Sequence, residues 1–335
     1  MSFPAGQLSQ ELARAKRSGR LAPFWLATGS EPLLMIESGD VLRACAREMG
    51  YADRQVLEMS ANSDWSQLLD SAASIGMFED LKFLEVRIPT GKPGVRGAKA
   101  LAEYVEQPIE GVVTLFTMPR PDWQGVKASW WQALSKASTV IDCDAIERRD
   151  LPGWLSARMA ANKQSADEEA LETFADLVEG NLLAAKQEVA KLSLLYPEGK
   201  LTRSQIESSV GNCSRYTTEA LVESILTGQP ERAARIVDGL EAQGEVFPIL
   251  MMVLTTQLRN LVKLRTAQEQ GQSFVKGVFA TPALKAAARR LTLKKLANAL
   301  SVCADIDRIT KGLEVENRDS DPWIELKSVC LFLAR

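Results

Sequence analysis

Histidine is absent from this chain of 335 residues. Its absence removes the commonest general base, the usual partner of a nucleophilic serine or cysteine, and the commonest metal ligand. Enzymes without histidine exist, but hydrolase and metalloenzyme chemistry become less expected. We predict no bound cofactor and no metal site.

Paired cysteines are also missing. The five cysteines are scattered singly and form no CxxC pair, which argues against a zinc cluster or a redox dithiol. Isolated cysteines usually serve as small core residues. The five are Cys45, Cys143, Cys213, Cys303 and Cys330.

Long apolar runs are lacking as well. No stretch approaches the roughly 20 apolar residues that span a bilayer, and the charged N-terminal segment has no apolar signal core. With 46% hydrophobic and 25% charged residues, the composition is that of a globular protein, which we expect in the cytoplasm without membrane contact. The net charge of −3 argues against strong autonomous binding to nucleic acid.

A phosphate-binding loop is missing where one would be expected. Gly29 follows an apolar strand pattern and precedes a helix pattern with Ser30 as its expected cap, but the turn GSEPLL has one glycine and no lysine. Glu31 would repel a polyphosphate, and Pro32 removes a backbone donor. The glycine- and lysine-rich stretch 90–99 has the wrong spacing and is predicted to be an exposed loop. We therefore predict a nucleotide-binding fold without its nucleotide site.

Strand and helix patterns alternate through the first 140 residues or so, which predicts a doubly wound parallel sheet. The segment Val112–Thr117 is apolar throughout, as expected of a strand covered on both faces. Five strands are predicted, at Phe24–Thr28, Gln55–Met59, Lys82–Ile88, Val112–Thr117 and Thr139–Asp142.

The composition changes after Cys143. The charged stretch DAIERRDLPGW is predicted to be a linker, and everything from Leu151 onward is predicted to be helical. The fold class is therefore α/β followed by all-α.

Three stretches resemble the delta-subunit family of the bacterial DNA polymerase III clamp loader. The first is FWLATGSEPLLMIES, at residues 24–38. The second is LPGWLSARM with VEGNLLAAKQEVAKLSLLYPEGKLT, whose order of motifs is long and unusual. The third runs from residue 220 to the closing WIELKSVCLFLA.

The resemblance implies a three-domain AAA+-like protein. Its parts would be an α/β domain at 1–142 that carries a clamp-binding element, a helical lid at 143–211 and a helical collar for oligomerisation at 212–335. Active relatives carry a nucleotide-contacting arginine in the lid, where this sequence has Leu183. Together, Gly29, Glu31 and Leu183 would mark a degenerate nucleotide site.

The same resemblance assigns the clamp-binding element to Met77 and Phe78, just past the predicted helix 64–75. They would form a hydrophobic plug for a pocket on the ring-shaped sliding clamp. Two structural interpretations compete with this one. Met77 could fold back on the helix end, and Phe78 could belong to the core.

The implied function is opening of the sliding clamp (beta) for loading onto primed DNA, without ATP hydrolysis by this chain. The implied partners are the clamp, the motor subunits (gamma/tau), delta prime and primer–template DNA, within a holoenzyme that is a nucleotidyltransferase. Alternatives are a delta-prime-like inert subunit, or a small-molecule transferase on a doubly wound sheet. A basic run offers possible contacts to the DNA backbone: Lys285, Arg289, Arg290, Lys294 and Lys295. Such a run is otherwise a solvated helix face.

Overall fold

A computed structural model describes residues 1–74, 81–272 and 275–335. The chain divides into two compact units, Met1–Asp150 and Leu151–Arg335. The first unit ends inside the predicted linker, which has no helix or strand before Leu151. The predicted division of the helical part into lid and collar stays a prediction.

The first unit contains a parallel six-stranded sheet. Its strands are β1 (Ser2–Pro4), β2 (Phe24–Gly29), β3 (Asp53–Glu58), β4 (Lys82–Arg87), β5 (Val112–Pro119) and β6 (Thr139–Asp142). The strand order is β1-β6-β2-β5-β4-β3. The prediction of a doubly wound parallel α/β sheet is confirmed, but the number of five strands was wrong. The additional strand, β1, is too short to give an alternation pattern, and it pairs with the edge of β6.

Helices cover both faces of this sheet. They are α1 (Leu8–Ser18), α2 (Pro32–Glu48), α3 (Ser66–Ala73), α4 (Gly94–Glu106) and α5 (Ser129–Ala137). One apolar core, which includes Trp25, Leu42 and Leu115, lies beneath α1 and α2. The opposite core includes Leu68, Leu101 and Leu134 from the other three helices. The predicted loop 90–99 was half wrong, because α4 begins at Gly94.

The second unit is mainly helical. Its elements are α6 (Leu151–Ala161), β7 (Gln164–Ala166), α7 (Glu168–Val178), α8 (Leu182–Leu195), β8 (Gly199–Leu201), α9 (Arg203–Ser209), α10 (Thr218–Leu226), α11 (Pro230–Ala242), α12 (Phe247–Glu269), α13 (Pro282–Arg290), α14 (Leu293–Thr310) and α15 (Pro322–Ala334). The prediction of helix alone missed β7 and β8, a parallel pair of three residues each. No helix in the described ranges has both the length and the apolar character needed to cross a membrane.

One apolar core of the second unit lies among α10 to α15. Leucines repeat at helical spacing along α12, and Leu254, Leu258 and Leu261 are almost completely buried. Trp323, in the first turn of α15, packs edge-on against Phe247, with 4.8 Å between the ring centroids. This ring contact joins the start of α15 to the start of α12.

Candidate functional site

The turn between β2 and α2 lies at the carboxyl edge of the sheet, where nucleotide-binding folds hold phosphates. In this chain another part of the backbone lies against the turn. A Cβ atom on Gly29 would lie 2.0 Å from the carbonyl oxygen of Cys143, so only glycine fits there. The Glu31 amide donates to the same carbonyl oxygen at 2.9 Å.

The start of α2 is already capped from within the chain. The Glu31 side chain, and not the predicted Ser30, caps the helix, and it accepts a hydrogen bond from the Leu33 amide at 3.0 Å. Pro32 has no N–H to offer. The Ser30 hydroxyl instead accepts from the Ala145 amide at 3.1 Å. A carboxylate thus occupies the position where a helix N-terminus would otherwise favour an anionic ligand.

A charged cluster at this edge was not predicted from the sequence. Arg120, just after β5, donates to Asp142 at 2.8 Å and to Asp144 at 2.9 Å. The two aspartates flank Cys143 at the end of β6, and the meeting of parallel strand ends at one edge could have indicated the cluster. These three side chains are 31% to 56% exposed and satisfy one another. The cluster therefore resembles a surface ion-pair network more than a substrate pocket.

Leu183, the third residue of the predicted degenerate site, belongs to the second unit. It lies in the first turn of α8 and is 54% exposed. Asn181 caps this helix by accepting from the Ala184 amide at 3.2 Å. The leucine side chain carries no charge to offer a nucleotide.

Met77 and Phe78, the predicted clamp-binding residues, lie outside the described residues. Ser74 and Leu81 are the described residues on either side of this segment. Lys82 follows Leu81 at the start of β4, and its side chain is 3% exposed. Its ammonium donates to the carbonyl oxygen of Ser74 at 2.7 Å and lies 3.4 Å from Asp53. Because β4 begins here, Ser74 and Lys82 lie at the amino edge of the sheet, at the opposite end of the strands from Gly29.

The predicted DNA-contacting run divides into two groups. Arg290 donates to the carbonyl oxygens of Leu333 at 2.8 Å and Ile225 at 2.7 Å, at the ends of two other helices. The ammonium of Lys295 lies 5.0 Å from the ring centroid of Phe332. Burial lowers the pKa of both basic groups, and Arg290 further lowers that of Lys295.

The other three basic residues of the run are exposed: Lys285, Arg289 and Lys294. The structure therefore leaves these three available to an external anion, whereas Arg290 has a clear role in holding helix ends together.

Comparison with known proteins gives consistent matches. A family model described as DNA polymerase III, delta subunit, matches residues 25–144. DNA polymerase III subunit delta of Haemophilus influenzae is 28% identical over 342 aligned positions, which cover 97% of this chain and 96% of that protein. The corresponding protein of Escherichia coli K12 is 28% identical over 259 positions, covering 77% of this chain and 76% of that protein.

Among solved structures, a Bacillus subtilis DNA clamp loader delta protein aligns with 97% of this chain and 99% of its own length, at a TM-score of 0.49 and 18% identity. The family model and the two bacterial relatives confirm the resemblance of this chain to the delta subunits of DNA polymerase III.

Proposed function

We propose that this chain is a clamp-loader delta subunit that binds a sliding clamp and opens it during chromosome replication. The observation that carries the proposal is the 28% identity to a DNA polymerase III delta subunit along 97% of the chain. The proposal places the protein in the cytoplasm, in a complex with motor subunits and delta prime.

The carboxyl edge of the sheet supports a role without ATP hydrolysis. The Cys143 carbonyl oxygen lies against Gly29 and accepts from the Glu31 amide, and the Glu31 side chain caps α2. The same geometry weakens the alternative of a small-molecule transferase, because the charges at this edge are paired at the surface. In the proposal, ATP acts on the motor subunits instead.

Met77 and Phe78 are the proposed plug for a pocket on the clamp. The mechanism is differential binding, in which the chain binds a distorted clamp better than the closed ring and thereby shifts the clamp toward opening. Burial of two such side chains contributes about 3 to 6 kcal/mol before the cost of ordering. They would therefore dominate a modest interface.

The deciding experiment replaces Met77 and Phe78 with alanine in the full chain. Purified protein is mixed with the clamp of the same cell, without ATP, and binding is measured by size-exclusion chromatography and titration. We expect the affinity to fall at least about 100-fold, since about 3 kcal/mol corresponds to that factor.

A matched control is the variant L194A/L195A, which removes an adjacent pair of apolar side chains that are 87% and 57% exposed on α8. This control should bind as the unmodified chain does. Undiminished binding by the M77A/F78A variant would refute the proposed plug. A chain that never binds the clamp would instead fit a delta-prime-like subunit.

The exposed basic residues Lys285, Arg289 and Lys294 are proposed to contact primer–template DNA only within the assembled loader. The chain's net charge of −3 fits such assembly-dependent contact better than binding by the isolated chain.

A further inference from the structure

A second set of basic residues lies at the amino edge of the sheet, on the side covered by α1 and α2. Both helices end there, and Lys16 of α1 forms an ion pair with Glu48 of α2. Arg17 lies in the last turn of α1, Arg20 follows its end, and Arg47 lies in the last turn of α2. We call these three arginines the basic corner.

All three arginines of the basic corner are exposed, and none has an ion-pair or hydrogen-bond partner for its side chain among the described residues. The nearby carboxylates are already neutralised. Glu48 pairs with Lys16, and Asp53, at the start of β3, pairs with the buried Lys82. Among the described residues, no carboxylate pairs with the basic corner, in a chain whose overall charge is negative.

The basic corner lies at the same edge of the sheet as the described residues that flank the proposed clamp-binding element. Burial raises the pKa of Tyr51, in the turn between α2 and β3, and the charge of Arg20 opposes that rise. In the same turn, a Cβ atom added at Gly50 would lie 3.3 Å from Cδ1 of Leu81. Leu81 directly precedes Lys82, whose ammonium donates to the carbonyl oxygen of Ser74. The arginines therefore lie at the same edge of the sheet as Ser74 and Leu81, the described residues that flank segment 75–80.

We infer that the basic corner binds an acidic surface on the partner protein whose apolar pocket takes up Met77 and Phe78. The inference rests on the proposed function and adds the chemistry of the partner, which must present carboxylates beside its apolar pocket. A polar, charged rim around an apolar centre is the usual arrangement of a protein interface. Exposed rim charges mainly steer association, so the basic corner raises the rate of encounter more than it slows dissociation.

The test is a full-length variant with Arg17, Arg20 and Arg47 all replaced by glutamine. Association with and dissociation from the purified clamp are measured at low and high salt. At low salt we expect association to slow by about tenfold and dissociation to change little. The difference should disappear at high salt, because the screening length falls to about 3 Å at 1 M.

The matched control, K92Q/R96Q/K127Q, removes the same charge from the opposite edge of the same unit. It should associate at the unmodified rate. The arginine-to-lysine triple variant keeps the charge of the basic corner and should also behave as the unmodified chain. Because the three side chains are exposed and have no partner among the described residues, thermal unfolding of the glutamine variant should match that of the unmodified chain.

Several outcomes overturn the inference. One is unchanged association of the glutamine variant at low salt, and another is equal slowing by the control. A third is loss of binding to a short DNA duplex with no change toward the clamp, which would assign the basic corner to nucleic acid. All of these leave the proposed function intact, whereas an unmodified chain that never binds the clamp contradicts the proposed function itself.

Discussion

At the scale of single residues, Glu85 is the most unusual charged group of the sheet. It lies on β4 with its side chain 3% exposed, and it accepts hydrogen bonds from Arg43, Arg54 and Arg87 at 2.6 to 3.2 Å. Burial alone would raise the pKa of this carboxyl group, but the three guanidinium groups outweigh burial and lower the pKa from 4.5 to about 2.

This lowered pKa predicts a loss of stability in acid. The contribution of Glu85 is fully present above pH 4.5, the pKa in the unfolded chain, and it is lost as the pH falls toward about 2. The shift corresponds to at most about 3 kcal/mol. We expect about 1 to 2 kcal/mol, because the arginines are 30% to 46% exposed and water screens them.

Urea unfolding of Glu85→Gln at a series of pH values measures this contribution. The free energy of unfolding of the variant should be lower than that of the unmodified chain at pH 7. The difference between them should shrink as the pH falls from 4.5 toward about 2. Glu58→Gln, at an exposed carboxylate on the neighbouring strand, is the control and should change little. A constant difference at all pH values would show that the Glu85 side chain acts through packing and not through charge.

Glu85 also shows what sequence patterns miss at this scale. The alternation in 82–88 predicts a strand, but nothing in it indicates that Glu85 is buried or that Arg43 and Arg54 surround it. Those partners come from other elements and meet only in the folded sheet. The capping residue of α2 was misassigned for a local reason, because both Ser30 and Glu31 can accept a backbone hydrogen bond.

At the scale of elements, the join between α7 and α8 is fixed by backbone contacts to the segment before α10. The amide of Cys213 donates to the Leu177 carbonyl at 2.9 Å, and that of Arg215 donates to the Glu179 carbonyl at 2.8 Å. Glu179 also forms a buried ion pair of 2.6 Å with Arg232. These contacts therefore tie the join between α7 and α8 to the segment before α10 and to α11.

Gly180 is the residue that this join depends on most. Its φ is +74°, and a Cβ atom there would lie 2.0 Å from the carbonyl oxygen of Arg215. Gly180→Ala adds a steric clash with backbone to the cost of a left-handed conformation, so we expect the free energy of unfolding to fall by about 3 kcal/mol or more.

Gly244→Ala is the matched control, since its φ is +69° and no atom lies within 4 Å of the added Cβ. It should cost only about 1 kcal/mol, the conformational penalty alone. Chemical unfolding of both variants makes the comparison. Equal losses would mean that the segment before α10 moves away at little cost.

Elements with strong periodicity were predicted well from the sequence. The apolar run of β5 and the leucine spacing of α12 come from burial against many neighbours, which leaves a clear pattern. The three-residue strands β1, β7 and β8 leave none. The early start of α4 was missed because its first turn contains glycine and follows proline, which are typical of loops.

At the scale of the whole molecule, the sequence alone predicted the α/β half, the helical half and the linker between them. The resemblance to DNA polymerase III delta subunits added the candidate site, since no pattern by itself distinguishes Met77 and Phe78 from core residues. The backbone of Cys143 beside Gly29 could not be predicted, because the two positions are far apart in sequence and meet only through the pairing of β2 with β6.

That contact leads to a prediction for the isolated protein. A ligand that binds only the folded state at 100 times its dissociation constant stabilises it by about 2.7 kcal/mol, which raises the melting temperature measurably. The positions at the β2–α2 turn that would contact phosphate are taken by the chain's own carbonyl and carboxylate groups. ATP with magnesium at millimolar concentration should therefore leave the melting temperature of the purified chain unchanged.

The control is a motor subunit under the same conditions, whose melting temperature should rise. A rise for this chain that requires both ATP and magnesium would mean that the turn opens to admit phosphate, and it would contradict the assignment of Gly29 and Glu31 to a degenerate site.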